Sequence, residues 1–202
     1  MSAAPTAGIV DYRMGNLASV GKALERSGAT PVVSDDPDVL NESDLLVLPG
    51  VGNFAAGMHH LTDLGLADLV GKWAADERPL LGICMGMQML FGESEEGPSP
   101  GLGILAGRVQ KFQTDLKVPH MGWNTIEVAG SEAFGPFDGK SFYFVHSYVC
   151  VPSEVNGGAS TEYGQRFCSA VDAGHIVGVQ FHPEKSSTDG LALLSAIVTY
   201  LT

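Results

Sequence analysis

A chain of 202 residues suits one full-sized core, and with no Pro- or Ser-rich linker to divide it, residues 1–202 read as a single domain. Its 45% apolar content is spread along the chain, which excludes disorder, and no apolar run approaches the ~20 residues that a membrane-spanning helix needs. A formal net charge of −12 speaks against nucleic acid as a partner, and three cysteines (Cys84, Cys150, Cys168) without paired or metal-type spacing speak against a disulfide scaffold and for a reducing, cytoplasmic setting.

Residues 1–6 carry neither a basic nor an apolar stretch and are expected to form a short flexible tail, not a secretory leader. Ala7–Asp11 is a short apolar strand, and after Gly15 and Asn16 the residues Leu17, Val20 and Leu24 fall at helical spacing. Strands follow at Thr30–Val33 and Leu45–Leu48, the second running into Pro49-Gly50-Val51-Gly52. Leu61, Leu64 and Leu69 belong to one helical stretch, and Pro79–Cys84 is a fourth apolar strand meeting a helix near Met85. Such alternation, with continuously apolar strands, implies a parallel sheet covered on both faces. Glu93–Gly103 is acidic and rich in Gly and Pro, so a loop is expected there. Arg108–Phe112, Thr125–Val128, Phe142–Val149 and Ala159–Glu162 read as shorter strands, Ile176–Phe181 as a buried strand and Leu191–Leu201 as a closing helix. The fold class is therefore α/β, a mostly parallel central sheet flanked by helices, with antiparallel additions.

Three segments carry chemistry. In Gly82-Ile83-Cys84-Met85-Gly86 a cysteine sits between two glycines at a strand-to-helix junction, the layout of a nucleophile elbow. The helix N-terminus there stabilises a thiolate, and the N–H of Met85 can hold an oxyanion. Gln88, four residues on, lies on the same helical face. Alone, this segment fits a buried structural cysteine equally well. In His182-Pro183-Glu184-Lys185, residues two apart in an extended segment share a face, so Glu184 can orient His182 and leave its other nitrogen for a thiol. A solvated His-Pro turn is the plainer reading of that segment taken by itself. Pro49-Gly50-Val51-Gly52 leaves backbone amides unshielded, so Val51 or Gly52 can supply a second oxyanion donor, with Gly50 beside the substrate; its spacing is not that of a dinucleotide fingerprint. His146, Ser147 and Tyr148 end a strand with polar groups suited to an amino acid's carboxylate and amine, although an ordinary half-buried strand looks the same.

Taken in order, P-G-V-G, G-I-C-M-G-M-Q and F-H-P-E-K-S resemble the class I glutamine amidotransferases. A narrower resemblance, carried by D-Y-R-M-G-N-L from Asp11, P-H-M-G-W-N from Pro119 and F-V-H-S-Y from Phe144, is to the glutaminase subunits of imidazole glycerol phosphate synthase, in histidine biosynthesis. Arg13 departs from it, standing where a small residue is expected. The resemblance implies a Cys84–His182–Glu184 triad that hydrolyses glutamine with no metal or organic cofactor. It further implies a heterodimer with a (β/α)8-barrel cyclase that receives the ammonia. Asn16, Trp123, Tyr143 and Lys185 are the interface residues it implies, although a tryptophan read from sequence alone belongs first to a core. Low activity until the partner holds its ligand, with the 50–52 backbone reorienting, is a further implication. Other amidotransferase subunits, a related cysteine peptidase and a subunit that binds without turnover are the competing readings.

Overall fold

The computed structural model describes residues 3–154 and 157–202. The first half alternates strand and helix: β1 (Thr6–Val10), α1 (Leu17–Arg26), β2 (Thr30–Ser34), α2 (Pro37–Asn41), β3 (Leu45–Gly50), α3 (Phe54–Asp63), α4 (Leu66–Ala75), β4 (Leu80–Cys84) and α5 (Met85–Met89). The second half is strand-rich: β5 (Phe91–Ser94), β6 (Leu105–Lys111), β7 (His120–Thr125), β8 (Glu127–Ala129), β9 (Ser141–His146), β10 (Tyr148–Pro152), β11 (Gly157–Glu162), β12 (Arg166–Asp172) and β13 (Ile176–Val179), closed by α6 (Ser187–Leu201). The large sheet runs β2-β1-β3-β4-β13-β12-β10-β6-β5, with β11 and β8 attached at β12. Its first five strands are parallel, and pairing turns antiparallel from β13 to β12. β7 and β9 form a separate antiparallel ribbon.

Side chains of β3 alternate between two cores, as strand periodicity requires. Leu45 and Val47 join Ile9, Leu24, Leu81 and α6 residues Leu193, Leu194 and Ile197 on one face, while Leu46 and Leu48 join Val10, Phe54, Leu61 and Trp73 on the other. Both faces being covered, β3 and β4 are buried along their whole length, which is why they read as unbroken apolar runs. Side-chain caps start α1, α2 and α3: Asn16 accepts from Ser19 N, Asp36 from Asp38 N and Asn53 from Ala56 N.

Several sequence expectations need correction. Thr6 belongs to β1, while Met1 and Ser2 of the expected tail lie outside the described residues. The helical stretch through Leu69 is two helices, α3 and α4, because Gly65 adopts φ 70 between them while the apolar pattern runs straight through. The expected strand Phe142–Val149 breaks at Ser147 into β9 and β10, which belong to different sheets; no glycine, proline or Asx residue marks the break. Thr125–Val128 straddles β7 and β8, and the expected loop after Glu93 begins inside β5. Strand β12 and helix α2 were not foreseen, and α6 begins four residues before Leu191. Among the described residues no helix is long and apolar enough to cross a membrane.

Candidate active site

Gly50, Cys84 and Val179 end three adjacent parallel strands, β3, β4 and β13. The carboxyl edge of a parallel sheet is where open α/β folds place their ligands, and here it gathers the candidate residues. Cys84 has φ 54 and ψ −111, a conformation that costs a non-glycine residue about 1–3 kcal/mol. Its flanking glycines make the turn possible. A β-carbon at Gly86 would run into the Leu48 carbonyl, and one at Gly82 would lie 2.9 Å from the Met87 nitrogen.

His182 lies three residues beyond the end of β13 and is anchored at both ends of its backbone. Its N–H donates to the Tyr143 carbonyl at 2.8 Å, and its own carbonyl accepts from Ser186 Oγ at 2.6 Å. Nδ1 and Glu184 Oε1 are 2.8 Å apart, with both side chains only 2% exposed. The pairing was expected from an extended segment, yet Glu184 reaches the imidazole from a 3-10 turn, Pro183–Lys185. Among the described residues Nε2 has no hydrogen-bonded partner. Burial disfavours the imidazolium, but the adjacent Cys84 and then Glu184 outweigh it and push the His182 pKa up to about 10. A thiol, an imidazole and a carboxylate thus stand in sequence, with the free nitrogen on the thiol side.

A cavity of about 290 Å³ opens over Cys84 and His182. Val51, Gly52, Met85, Gln88, His146, Ser147 and Tyr148 all line it. Gly50 does not; it lies beneath the wall, where a β-carbon would strike the Tyr12 hydroxyl. That hydroxyl donates to the Pro49 carbonyl at 2.6 Å and so fixes the start of the loop. The His146 ring is also unsuited to gripping a ligand, because Nδ1 lies 2.9 Å from the Tyr148 carbonyl and Nε2 lies 3.0 Å from His120 Nδ1. Burial, with the charges of His120 and His182, pushes its pKa down to about 3. A larger groove of about 700 Å³ between α3 and α4 contains no comparable set.

The glutamine amidotransferase class-I family model matches residues 9–198. The chain belongs to that family. It is 48% identical over 194 residues to imidazole glycerol phosphate synthase subunit HisH of Methanopyrus kandleri, covering 95% of this chain and 96% of the relative. The subunit of the same name from Geobacillus thermodenitrificans is 47% identical over 205 residues, covering 96% of each. The fold matches that of the PurLQS structure from Thermotoga maritima with a TM-score of 0.74 at 21% identity, covering 98% of this chain and all of that one.

Two residues of this class-I amidotransferase escaped the sequence reading. Glu96, in the acidic segment expected to be a plain loop, lines the cavity and accepts from Phe54 N at 3.2 Å and Asn53 Nδ2 at 3.4 Å. Burial pushes its pKa up against those two hydrogen bonds. Gln180 is fully buried between Gln88 and Cys84; it shares the odd-even parity of His182 and Glu184, the one signal that points to it. The four interface candidates lie outside the cavity lining. Asn16 is exposed at the cap of α1, Lys185 is exposed in the 3-10 turn, and Trp123 and Tyr143 oppose each other on β7 and β9. Trp123 is 55% exposed, so the core reading of this tryptophan is overturned.

Proposed function

We propose that this chain is the glutaminase subunit of an imidazole glycerol phosphate synthase, with Cys84, His182 and Glu184 as its triad. The observation that carries the reading is the unpartnered Nε2 of a Glu184-bound imidazole beside a thiol on a strained elbow, in a chain 48% identical to a subunit of that name. Cys84 thiolate attacks the side-chain amide carbon of glutamine. The oxyanion forms between the N–H of Met85 and that of Val51 or Gly52. Protonated His182 gives its proton to the departing ammonia, leaving a glutamyl thioester. The same imidazole then takes a proton from water, hydroxide adds to the thioester, and glutamate leaves as the thiolate returns. Glu184 holds the ring and favours its charged form.

The substrate's ends follow from the cavity wall. Glu96 is the carboxylate suited to the α-ammonium, and the backbone of Ser147 and Tyr148 suits the α-carboxylate. His146 serves here by shaping the wall rather than by ring contact. Ammonia passes to a (β/α)8-barrel cyclase partner in the cytoplasm. There it completes imidazole glycerol phosphate and aminoimidazole carboxamide ribotide.

The test is glutamate release by the purified chain, alone and with the cyclase plus its ribotide ligand. Activation by the liganded cyclase, and loss of several orders of magnitude in Cys84→Ala, is the expected result. Near-normal turnover in Cys84→Ala would end the triad assignment, and full activity without the cyclase would end the coupled-subunit reading.

A further inference from the structure

We propose that Gln180 is a positioning residue of the glutaminase site, holding the Cys84 sulfur through an amide N–H and locking the Gln88 amide through its oxygen. The inference rests on Cys84 being the nucleophile. Tyr148 O can only accept, and Gln88 Nε2 lies 3.1 Å from it, so Gln88 must present its NH₂ group there. The second hydrogen of that group reaches Gln180 Oε1 at 2.9 Å. Gln180 therefore shows its oxygen to Gln88, and its own NH₂ group is left for Cys84 Sγ, at 3.7 Å. With the Gln88 amide reversed, its oxygen would face the Tyr148 carbonyl oxygen, two acceptors with no hydrogen between them.

Two consequences follow from that direction. A thiolate accepts an N–H more strongly than a thiol, so the Gln180 donor favours the reactive form of Cys84. It also favours departure of the sulfur when the thioester breaks. Gln88, with both hydrogens engaged, keeps only its oxygen for the cavity it lines, an acceptor for the substrate ammonium. Rotation of the Gln88 amide would replace that acceptor by a donor. Gln180 is 0% exposed, and its main-chain N–H donates to Ser169 O at 2.9 Å, so its own position is set by the sheet.

The experiment follows the pH dependence of Cys84 alkylation by iodoacetamide, mapped by mass, beside glutamine kinetics with the cyclase present. Gln180→Leu removes both contacts and should raise the alkylation midpoint by about one pH unit and KM by about tenfold. Gln180→Glu keeps an acceptor for Gln88 but sets a carboxylate against the sulfur. It should raise the midpoint at least as much while leaving KM within about threefold. In the unsubstituted chain, the Gln180 side-chain amide resonances should titrate with the Cys84 midpoint, a readout needing no variant. Resonances that stay flat across that midpoint, or folded variants with an unmoved midpoint, overturn the proposal. If Cys84 of the unsubstituted chain also resists a diazoketone analogue of glutamine, the nucleophile reading falls with it; labelling by that analogue confines the failure to Gln180.

Discussion

Nδ1 of His120 and Nε2 of His146 lie 3.0 Å apart across β7 and β9, where the two residues are register partners. The Tyr148 carbonyl requires a proton on His146 Nδ1, so His146 Nε2 accepts from His120, and His120 Nε2 accepts from Asn124 Nδ2 at 3.3 Å. Both rings are thereby neutral. A further proton on either would set two donors against each other, and burial pushes His120 down to about 4 and His146 to about 3.

A pH dependence of stability follows. In the unfolded chain both rings take up protons near 6.5, whereas the folded chain resists them. Their contribution is therefore present above pH 6.5 and lost as pH falls towards 4. Urea unfolding should show a lower midpoint at pH 5 than at pH 7.5. His120→Phe, which removes one of the two titrations, should show a smaller difference. An unchanged difference in that variant would exclude the pair as the cause.

The turn at Cys84 predicts an inverted glycine effect. Elsewhere a glycine in place of alanine destabilises; at φ 54 and ψ −111 the alanine carries the strain. Cys84→Gly should be more stable than Cys84→Ala by about 1 kcal/mol, with both devoid of glutaminase turnover. Paired denaturation curves check this, and a more stable alanine variant would show that the elbow is relaxed.

Glu184→Gln keeps an acceptor for His182 Nδ1 and removes the charge. Glutamine turnover should fall by about 100-fold or more, because the imidazolium of the first step loses its counter-charge. The His182 titration, followed by imidazole NMR, should drop from about 10. Since that value lies above the unfolded 6.5, the stabilisation is complete below pH 6.5 and lost as pH rises towards 10. The stability gap between parent and variant should narrow over that interval. A gap constant from pH 6 to 10 would remove the pair from the account.

The parallel core and the candidate triad were legible because each is written in a short stretch of chain. Cys84 needs only its flanking glycines, and Glu184 sits two residues from His182. What stayed hidden depends on distant chain. Glu96 reaches the cavity through hydrogen bonds to Asn53 and Phe54, more than forty residues earlier, and no periodicity in an acidic segment foretells that. Gln180 meets Gln88 92 residues away. The break at Ser147 was invisible because strand-forming residues stand on both sides of His146 and Ser147 and no glycine, proline or Asx residue lies between them. The His182–Glu184 pairing was anticipated from strand parity but is made by a 3-10 turn that Pro183 initiates.

Trp123 offers the sharpest test of the partner. It shares the outer side of β7 with Met121; the two are 55% and 62% exposed, and the Trp123 ring meets Tyr143 with centroids 6.3 Å apart. A side chain that open contributes little to the chain's own stability, so Trp123→Ala should change the unfolding free energy by no more than about 0.5 kcal/mol. An aromatic anchor at an interface has the opposite profile. If β7 and β9 meet the cyclase, the same substitution should weaken binding by about 2 kcal/mol, close to 30-fold in Kd. Calorimetric titration of the cyclase with parent and variant chains measures this directly. Met121→Ala should weaken binding in the same direction, because it shares that side of the ribbon. Unchanged Kd in both variants, with stability preserved, would move the docking surface away from this ribbon and leave the exposure of Trp123 without a partner.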